Sequence, residues 1–502
     1  MGYARAAGEG GDRLTVAGVC FHPSSTPYRV GFRALTVEPS AIRSPLSARL
    51  FMTLPDDTVD TSAPVIHSPR WRPLIVRVHF YAGVFIAPFL AVAAVTGGLY
   101  ALAPSIERVV YRDLLSVAST GPALPLDEQV ARARAAHPDL PVTTVRPAAS
   151  AGATTRVSFG DPALPADRAR TVFVDPGTGR VLGEQVTWLG YLPLSTWLDG
   201  LHRHLNLGEP GRVYSELAAS WLWVVALGGL YLWTARAAAQ RHRGRRGRLL
   251  TVDRRRSGRA RTMNWHGATG MWLLAGLLFL SATGITWSTY AGAHVTELRS
   301  ALQWQRPQLD SPAAMAGTGP NDGDIDYDRV LDAATRQGVG APVEMAVPAA
   351  GPVTVTEIDK AFRWTTNAVA VEPADLAIVD AIDYRRDYST MAKLADWGVR
   401  AHMGLLFGLL NQLVLLATAL GLLAVIAGGY RMWWQRRPTR GSVWPVGRPP
   451  ARGGIRRLRP VPAAALVVGT VAVGWFLPLF GVPLAGFVVV DLLLAARRNR
   501  RA

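Results

Sequence analysis

Apolar residues in this chain are gathered into long blocks divided by longer polar stretches. Four blocks, at about 75 to 101, 213 to 234, 266 to 290 and 402 to 430, can each cross roughly 30 Å of hydrocarbon at about 1.5 Å per residue, so each predicts a transmembrane helix. A fifth block, Val461 to Ala496, is too long for one ordinary crossing and holds Pro478, Gly481 and Pro483 at its middle, which predicts a hairpin of two short spans. The polar stretches carry other periods. Leu126 to Ala136 has helical spacing with acids at its start, as does Asp326 to Gln337. Strand-like runs follow the first helix at about 141 to 147, 154 to 159 and 170 to 175, and the turn Asp175-Pro176-Gly177-Thr178-Gly179 leads on into Arg180-Val181-Leu182 as a hairpin. Residues 1 to 70 are polar and Pro-rich with neither period, and hold no apolar run of signal-peptide length, so the first span is expected to act as its own signal. Met52 heads a more ordinary start, which leaves the first 51 residues open as a tail or a misplaced start.

The chain therefore divides into a disordered tail (1–70), span 1 (71–102), a first outer domain (103–200), span 2 (201–235), a basic loop (236–262), span 3 (263–290), a second outer domain (291–397), span 4 (398–434), a second basic loop (435–460), the hairpin (461–496) and a short tail (497–502). The fold class is a polytopic α-helical membrane protein with two extracytoplasmic α+β domains. Composition agrees: 49% of the 502 residues are hydrophobic, 18% are charged and 16 are Trp, too much apolar surface for a disordered basic protein. Cys20 is the only cysteine, so no intramolecular disulfide forms. The net charge of +18 is almost all arginine, with Lys360 and Lys393 the only lysines, and with abundant Ala, Gly and Pro this composition suggests a GC-rich bacterial genome. Arginine crowds the segment from Arg241 to Arg261, the segment from Arg431 to Arg459, and Arg497 to Arg501, which the positive-inside rule makes cytoplasmic. Both termini then lie inside a bacterial cytoplasmic membrane. Anionic lipid accounts for these clusters beside spans, and no nucleic-acid partner is expected.

The chain also repeats itself. His79 is followed by Thr96-Gly97 and Tyr100 as His266 is by Thr283-Gly284 and Trp287, at an offset of 187. Trp197, His202, Gly208, Gly228-Gly229 and Trp233 recur as Trp397, His402, Gly408, Gly428-Gly429 and Trp433, at an offset of 200. Val172-Phe173-Val174-Asp175-Pro176 is echoed by Val369-Ala370-Val371-Glu372-Pro373. Span, outer domain and span occur twice, an internal duplication. The acidic run Asp322, Asp324, Asp326 and Asp328 lacks the Gly and Glu that an EF-hand calcium loop needs, and reads as a solvated helix start.

Four of ten histidines occupy corresponding places in the two repeats. Spans 1 and 3 run outward and put His79 and His266 at the inner face; spans 2 and 4 run inward and put His202 and His402 at the outer face. An imidazole in a low-dielectric bundle is costly unless partnered, and it is a good axial ligand for haem iron. Ligands to one metal must share a depth, because the faces are about 30 Å apart. His79 therefore pairs with His266 and His202 with His402, two sites for haem b. His204 is a rival to His202 but has Gly404 at its repeat position. Arg203 and Arg400 flank the outer pair and Arg77 lies near His79, where they would meet propionates. His22, His67, His137, His242 and His294 break the repeat and read as surface residues.

These segments, Val78-His79-Phe80-Tyr81-Ala82-Gly83 through Thr96-Gly97, Leu201-His202-Arg203 through Arg212, Asn264-Trp265-His266 through Thr283-Gly284, and Ala401-His402-Met403-Gly404 through Gly428-Gly429, resemble the PepSY-associated transmembrane family over about 70 to 500. The hairpin Val174 to Leu182 is similar to its PepSY domain, whereas the second, Glu372-Pro373-Ala374-Asp375, lacks the glycine turn. The resemblance implies an iron-regulated membrane protein like the ferric-siderophore reductases, a haem-bearing oxidoreductase passing electrons to a ferric chelate outside. No cytoplasmic loop has room for a flavin or nicotinamide domain, so the donor is expected to be a quinol or a separate cytoplasmic reductase. No catalytic acid, base or nucleophile set for hydrolysis stands out. The alternative is a cofactor-free membrane protein whose PepSY domains bind or regulate an extracellular peptidase.

Overall fold

The computed structural model describes residues 71–118, 121–244, 247–309, 325–436, 450 and 458–500. The tail predicted over 1–70, most of the arginine-rich segment after Arg436, and Arg501 fall outside them. Span 1 is two helices, α1 (Arg72–Phe85) and α2 (Ala87–Ala101), bent by 57° at a one-residue break. Pro88, in the first turn of α2, withholds an N–H that a straight helix would use. Short helices α3 (Ala103–Val110) and α4 (Arg112–Leu115) lead away from α2, and α5 (Leu126–Arg134) follows.

Four antiparallel strands come next, β1 (Val142–Arg146), β2 (Thr155–Phe159), β3 (Arg168–Val174) and β4 (Val181–Trp188), then α6 (Pro193–His204) and the long α7 (Glu209–His242). α8 (Gly258–Ile285) returns through the bundle to α9 (Tyr290–Ala301). A second set repeats the order: α10 (Tyr327–Arg336), β5 (Val343–Ala346), β6 (Val353–Glu357), β7 (Ala368–Val371), β8 (Ile378–Ile382), α11 (Tyr384–Asp387), α12 (Thr390–His402) and α13 (Leu409–Trp434). Two apolar helices, α14 (Pro460–Phe476) and α15 (Pro478–Asn499), end the described chain. Among the described residues α7, α8, α13 and α15 are long and apolar enough to cross a membrane, and the bent α1–α2 pair is so when its two helices are taken together. α2, α7, α8 and α13 pack neighbour to neighbour in a ring.

Several span boundaries differ from the sequence expectation. Spans 2 and 4 begin at Glu209 and Leu409, not at 201 and 398. The residue ahead of each is a glycine with positive φ, Gly208 at 66° and Gly408 at 58°, a backbone open at little cost only to glycine, and α6 itself stops at Leu205, at φ 53°. Residues 193–204 and 390–402 therefore form separate amphipathic helices lying ahead of the spans. Span 3 stops at Ile285, where α8 gives way to turns before α9.

The two α+β units are not separate. Their strands form one eight-stranded sheet in the order β4-β3-β2-β1-β5-β6-β7-β8, joined where Thr144 pairs with Ala346 and Val145 with Met345. Each half alone would leave an open edge at this point, and the junction closes both. Val145, Val157, Val172, Met345, Val353 and Val355 are fully buried in a shared core with Val130 of α5 and Val330 of α10. The two helices cap each other: Tyr327 N donates to Asp127 Oδ1 at 2.8 Å and Asp127 N to Asp328 Oδ2 at 3.1 Å, while Asp326 caps α10 through Arg329 N. That accounts for the described part of the acidic run; Asp322 and Asp324 lie outside the described residues. The hairpin without a glycine keeps the same turn, since Leu376 takes φ 62° where the first has Gly179 at 70°.

The C-terminal pair packs beside α7 and α9. It turns sharply at Leu477, with Gly474 and Gly481 backbone to backbone. Arg77 of α1 forms an ion pair with Asp491 of α15, and Trp221 donates to the Leu479 carbonyl at 3.1 Å.

Candidate functional site

The four repeated histidines come together as two pairs. His79 of α1 and His266 of α8 have ring centroids 6.3 Å apart at an interplanar angle of 81°; His202 of α6 and His402 of α12 are 6.4 Å apart at 44°. An imidazole nitrogen sits about 2.0 Å from a metal it ligates and roughly 1.15 Å from its own ring centre, so two imidazoles on opposite sides of one ion place their centroids about 6.3 Å apart. Both pairs have that spacing. Among the described residues Nδ1 is engaged in His202, His266 and His402, and no hydrogen bond reaches Nε2 of these three.

The pairs lie at different depths. His266 and Thr283 are both on α8, and 17 residues of straight helix rise about 25 Å. Thr283 touches His402 at 2.6 Å, so the second pair sits near the far end of the helix that carries the first. His202 and His402 do not belong to the spans themselves, as the sequence reading had them, but to α6 and α12, whose last turns they occupy. Both helices are anchored at their starts: Glu107 accepts from Ser195 N at 2.8 Å, and Ser389 caps α12 through Ala392 N. Their ends are tied as well, with Ser215 donating to the His202 carbonyl and Asn411 to the Ala401 carbonyl.

The remaining repeat motifs form the surfaces behind the imidazoles. Gly97 lies against His202, where an added Cβ would be 2.8 Å from Cε1, and Gly284 faces His402 at 3.9 Å. Gly228 and Gly229 of α7 back His79, at 3.3 and 3.2 Å, and Gly428 and Gly429 of α13 back His266, both at 3.7 Å. Thr96 Oγ1 is 3.0 Å from His202 Nδ1, mirroring Thr283 and His402. His266 Nδ1 donates to the Val425 carbonyl at 2.9 Å, whereas His79 Nδ1 is buried with no hydrogen-bond partner among the described residues. Sequence reasoning used these Thr-Gly and Gly-Gly pairs only as markers of the repeat. Their spacing from the histidines was the available signal.

A cavity of about 410 Å³ opens beside the outer pair, of a size that suits a cofactor. Its walls come from α2, α7, α8 and α13, with α6 and α12 at the histidine end, and small residues such as Ala93, Ala94, Gly98, Ala218 and Ala219 alternate there with Leu90, Leu222, Leu277 and Trp287. Such walls leave room for a broad flat ligand between the helices. Arg203 lines the cavity and lies 5.4 Å over the Trp188 ring. Arg212 lines it too, with Nε donating to Thr289 Oγ1 at 2.9 Å, a residue to which the sequence reading gave no role.

Arg400 does something else. It is buried, with Nε on Asp359 at 2.9 Å, Nη2 on the Arg363 carbonyl at 2.8 Å and Nη1 3.5 Å from Asp396, so it ties α12 to the second half of the sheet and does not line the cavity. Arg77 is likewise committed to Asp491. His204 lies beside Gly200 and does not line the cavity. His294, expected at the surface, is half-buried and bonded to the Phe476 carbonyl, and His137 pairs with Glu184 at 2.6 Å. Burial alone would raise the Glu184 carboxyl, but the His137 bond and then Arg170 hold it below the usual range.

A family model described as the PepSY-associated TM region matches residues 76–436, a stretch that contains both histidine pairs and the whole described sheet. No curated protein matches the chain.

Proposed function

Because the chain belongs to the PepSY-associated transmembrane family, a multi-pass membrane protein by its helices, we propose that it is a haem-dependent electron carrier spanning a bacterial cytoplasmic membrane. The observation that carries this reading is the doubled imidazole pair, at 6.3 and 6.4 Å, toward opposite ends of one helical ring. Buried histidines without a ligand are costly in hydrocarbon, and a single pair has many bland explanations; two pairs with the same spacing, each against a glycine surface, have few. We read the two halves of the chain as a duplicated unit and the sheet as two fused PepSY-like domains.

In this reading His79 and His266 hold one haem b and His202 and His402 the other. Bound there, haem supplies a reversible one-electron iron couple. The chain's residues do the rest: Nδ1 partners orient His202, His266 and His402, glycines leave space on the helix faces, apolar helices exclude water, and Arg203 and Arg212 offer cations to propionates at the outer site. The arginine-rich connection between α7 and α8 sets the His79 and His266 end inside and the sheet outside. The donor is then a quinol or a separate cytoplasmic reductase. The acceptor, following the family resemblance, is an outer ferric chelate such as a ferric siderophore, whose hard oxygen ligands hold iron less tightly once it is reduced.

The test is optical. Protein purified from membranes is expected to show a reduced-minus-oxidised haem spectrum with two haems per chain, and His202→Ala and His266→Ala are each expected to lose one. A colourless wild type, or variants with unaltered haem content, would overturn the proposal and favour a cofactor-free protein that binds a peptidase.

A further inference from the structure

The outer imidazoles are held differently from the inner ones. Thr96 Oγ1 lies 2.9 Å from the Val92 carbonyl and 3.0 Å from His202 Nδ1. Thr283 Oγ1 lies 2.8 Å from the Phe279 carbonyl and 2.6 Å from His402 Nδ1. A hydroxyl has one proton, and a helical carbonyl only accepts, so a proton spent on the carbonyl leaves an oxygen lone pair facing Nδ1. The imidazole that satisfies this arrangement donates from Nδ1 and carries its own lone pair on Nε2, the nitrogen that no hydrogen bond occupies.

We propose that Thr96 and Thr283 are positioning residues that fix His202 and His402 as the Nδ1–H tautomer, present Nε2 to a metal, and tune the outer site separately from the inner one. The inference rests on the haem reading above and deepens it. An acceptor on Nδ1–H pushes electron density into the ring and stabilises the ferric state, so removing the acceptor raises the potential of the metal it serves. At the inner site the acceptor on His266 is a main-chain carbonyl, that of Val425 at 2.9 Å, and among the described residues no hydroxyl meets His79 Nδ1. No side-chain substitution deletes the Val425 carbonyl. The inner pair is therefore an internal control within the same molecule.

The experiment uses full-length protein in detergent, wild type against Thr96→Val, Thr283→Val and the corresponding Ser variants, with three readouts: haem per chain, midpoint potentials by optical redox titration, and the low-spin electron paramagnetic resonance signals. The Val variants are expected to move one of two potentials upward, with its resonance signal, while the other stays in place, and Ser is expected to restore it. Loss of one haem in Val with full retention in Ser also supports the hydroxyl's role. Unmoved potentials at full haem content, equal movement of both, or loss of a haem in Ser as well as Val would overturn it. A colourless wild type would sink the haem reading as a whole, whereas a coloured protein with unmoved potentials sinks only this assignment.

Discussion

Gly97→Ala tests the outer site with the smallest possible perturbation. The new methyl carbon would lie 2.8 Å from His202 Cε1, 3.3 Å from Nδ1 and 3.4 Å from Nε2. Carbon contacts settle at about 3.5–4.0 Å, so the ring must retreat by about 0.7 Å, more than three times the roughly 0.2 Å that metal–ligand distances tolerate. The repeat-related Gly284→Ala would leave its Cβ 3.9 Å from His402 Cε1, an ordinary contact. Both substitutions remove a helical glycine and gain about 1 kcal/mol of helix propensity, so Gly284→Ala controls for that term, and a melting temperature measured beside haem content separates overpacking from loss of the site. Haem per chain, measured after purification, is expected to fall by one in Gly97→Ala and stay at two in Gly284→Ala. The inner glycines give the same contrast: Gly229→Ala meets His79 at 3.2 Å, and Gly429→Ala meets His266 at 3.7 Å. Equal haem content in all four variants, or greater loss in the second repeat than in the first, would refute the reasoning.

Three further outcomes follow from the same geometry. Arg203→Leu and Arg212→Leu are expected to speed haem loss to an apo-globin trap by about tenfold, the worth of a charge-assisted hydrogen bond reduced by partial exposure, while Arg400→Leu lowers the melting temperature without changing haem per folded chain. Asp491→Asn leaves Arg77 uncompensated among apolar helices and is expected to cost about 3 kcal/mol of thermal stability in detergent, with the double change Arg77→Met and Asp491→Leu recovering most of it. Asp127→Ala is expected to speed hydrogen exchange at the Tyr327 amide and to cost about 1 kcal/mol, while Asp328→Ala does the same at the Asp127 amide.

The bundle was legible because lipid imposes a single solution: a backbone that must satisfy its own hydrogen bonds reads as long apolar helices, whichever partners they find. The strands of the first half were legible from alternation, and the four histidines from the repeat. What could not be read was non-local. Nothing in Val142 to Arg146 says that its free edge meets Val343 to Ala346 some two hundred residues later, since a strand's own pattern fixes its faces but not its neighbour. His402 opens the apolar run of span 4 and the repeat put His202 on the same footing, so both looked like span ends, and Gly208 and Gly408 are the local marks of the breaks. Arg400 and Arg203 sit similarly beside their histidines in sequence. Asp359, forty-one positions away, takes one of them and leaves the other at the cavity.

α8 serves both ends of the bundle at once, since one continuous helix holds His266 of one pair and Thr283, which touches His402 of the other. Its pitch fixes the azimuth of both groups: one residue gained or lost between them would rotate one against the other by about 100° and slide it about 1.5 Å. Within that stretch Ser281 also donates to the Ala219 carbonyl at 2.8 Å and Gly267 leaves room for Trp233, so its length and its contacts are fixed together. Insertions should therefore accumulate in the outer loops and the basic connections, and the seventeen-residue step should act as the gauge that keeps two distant sockets in phase.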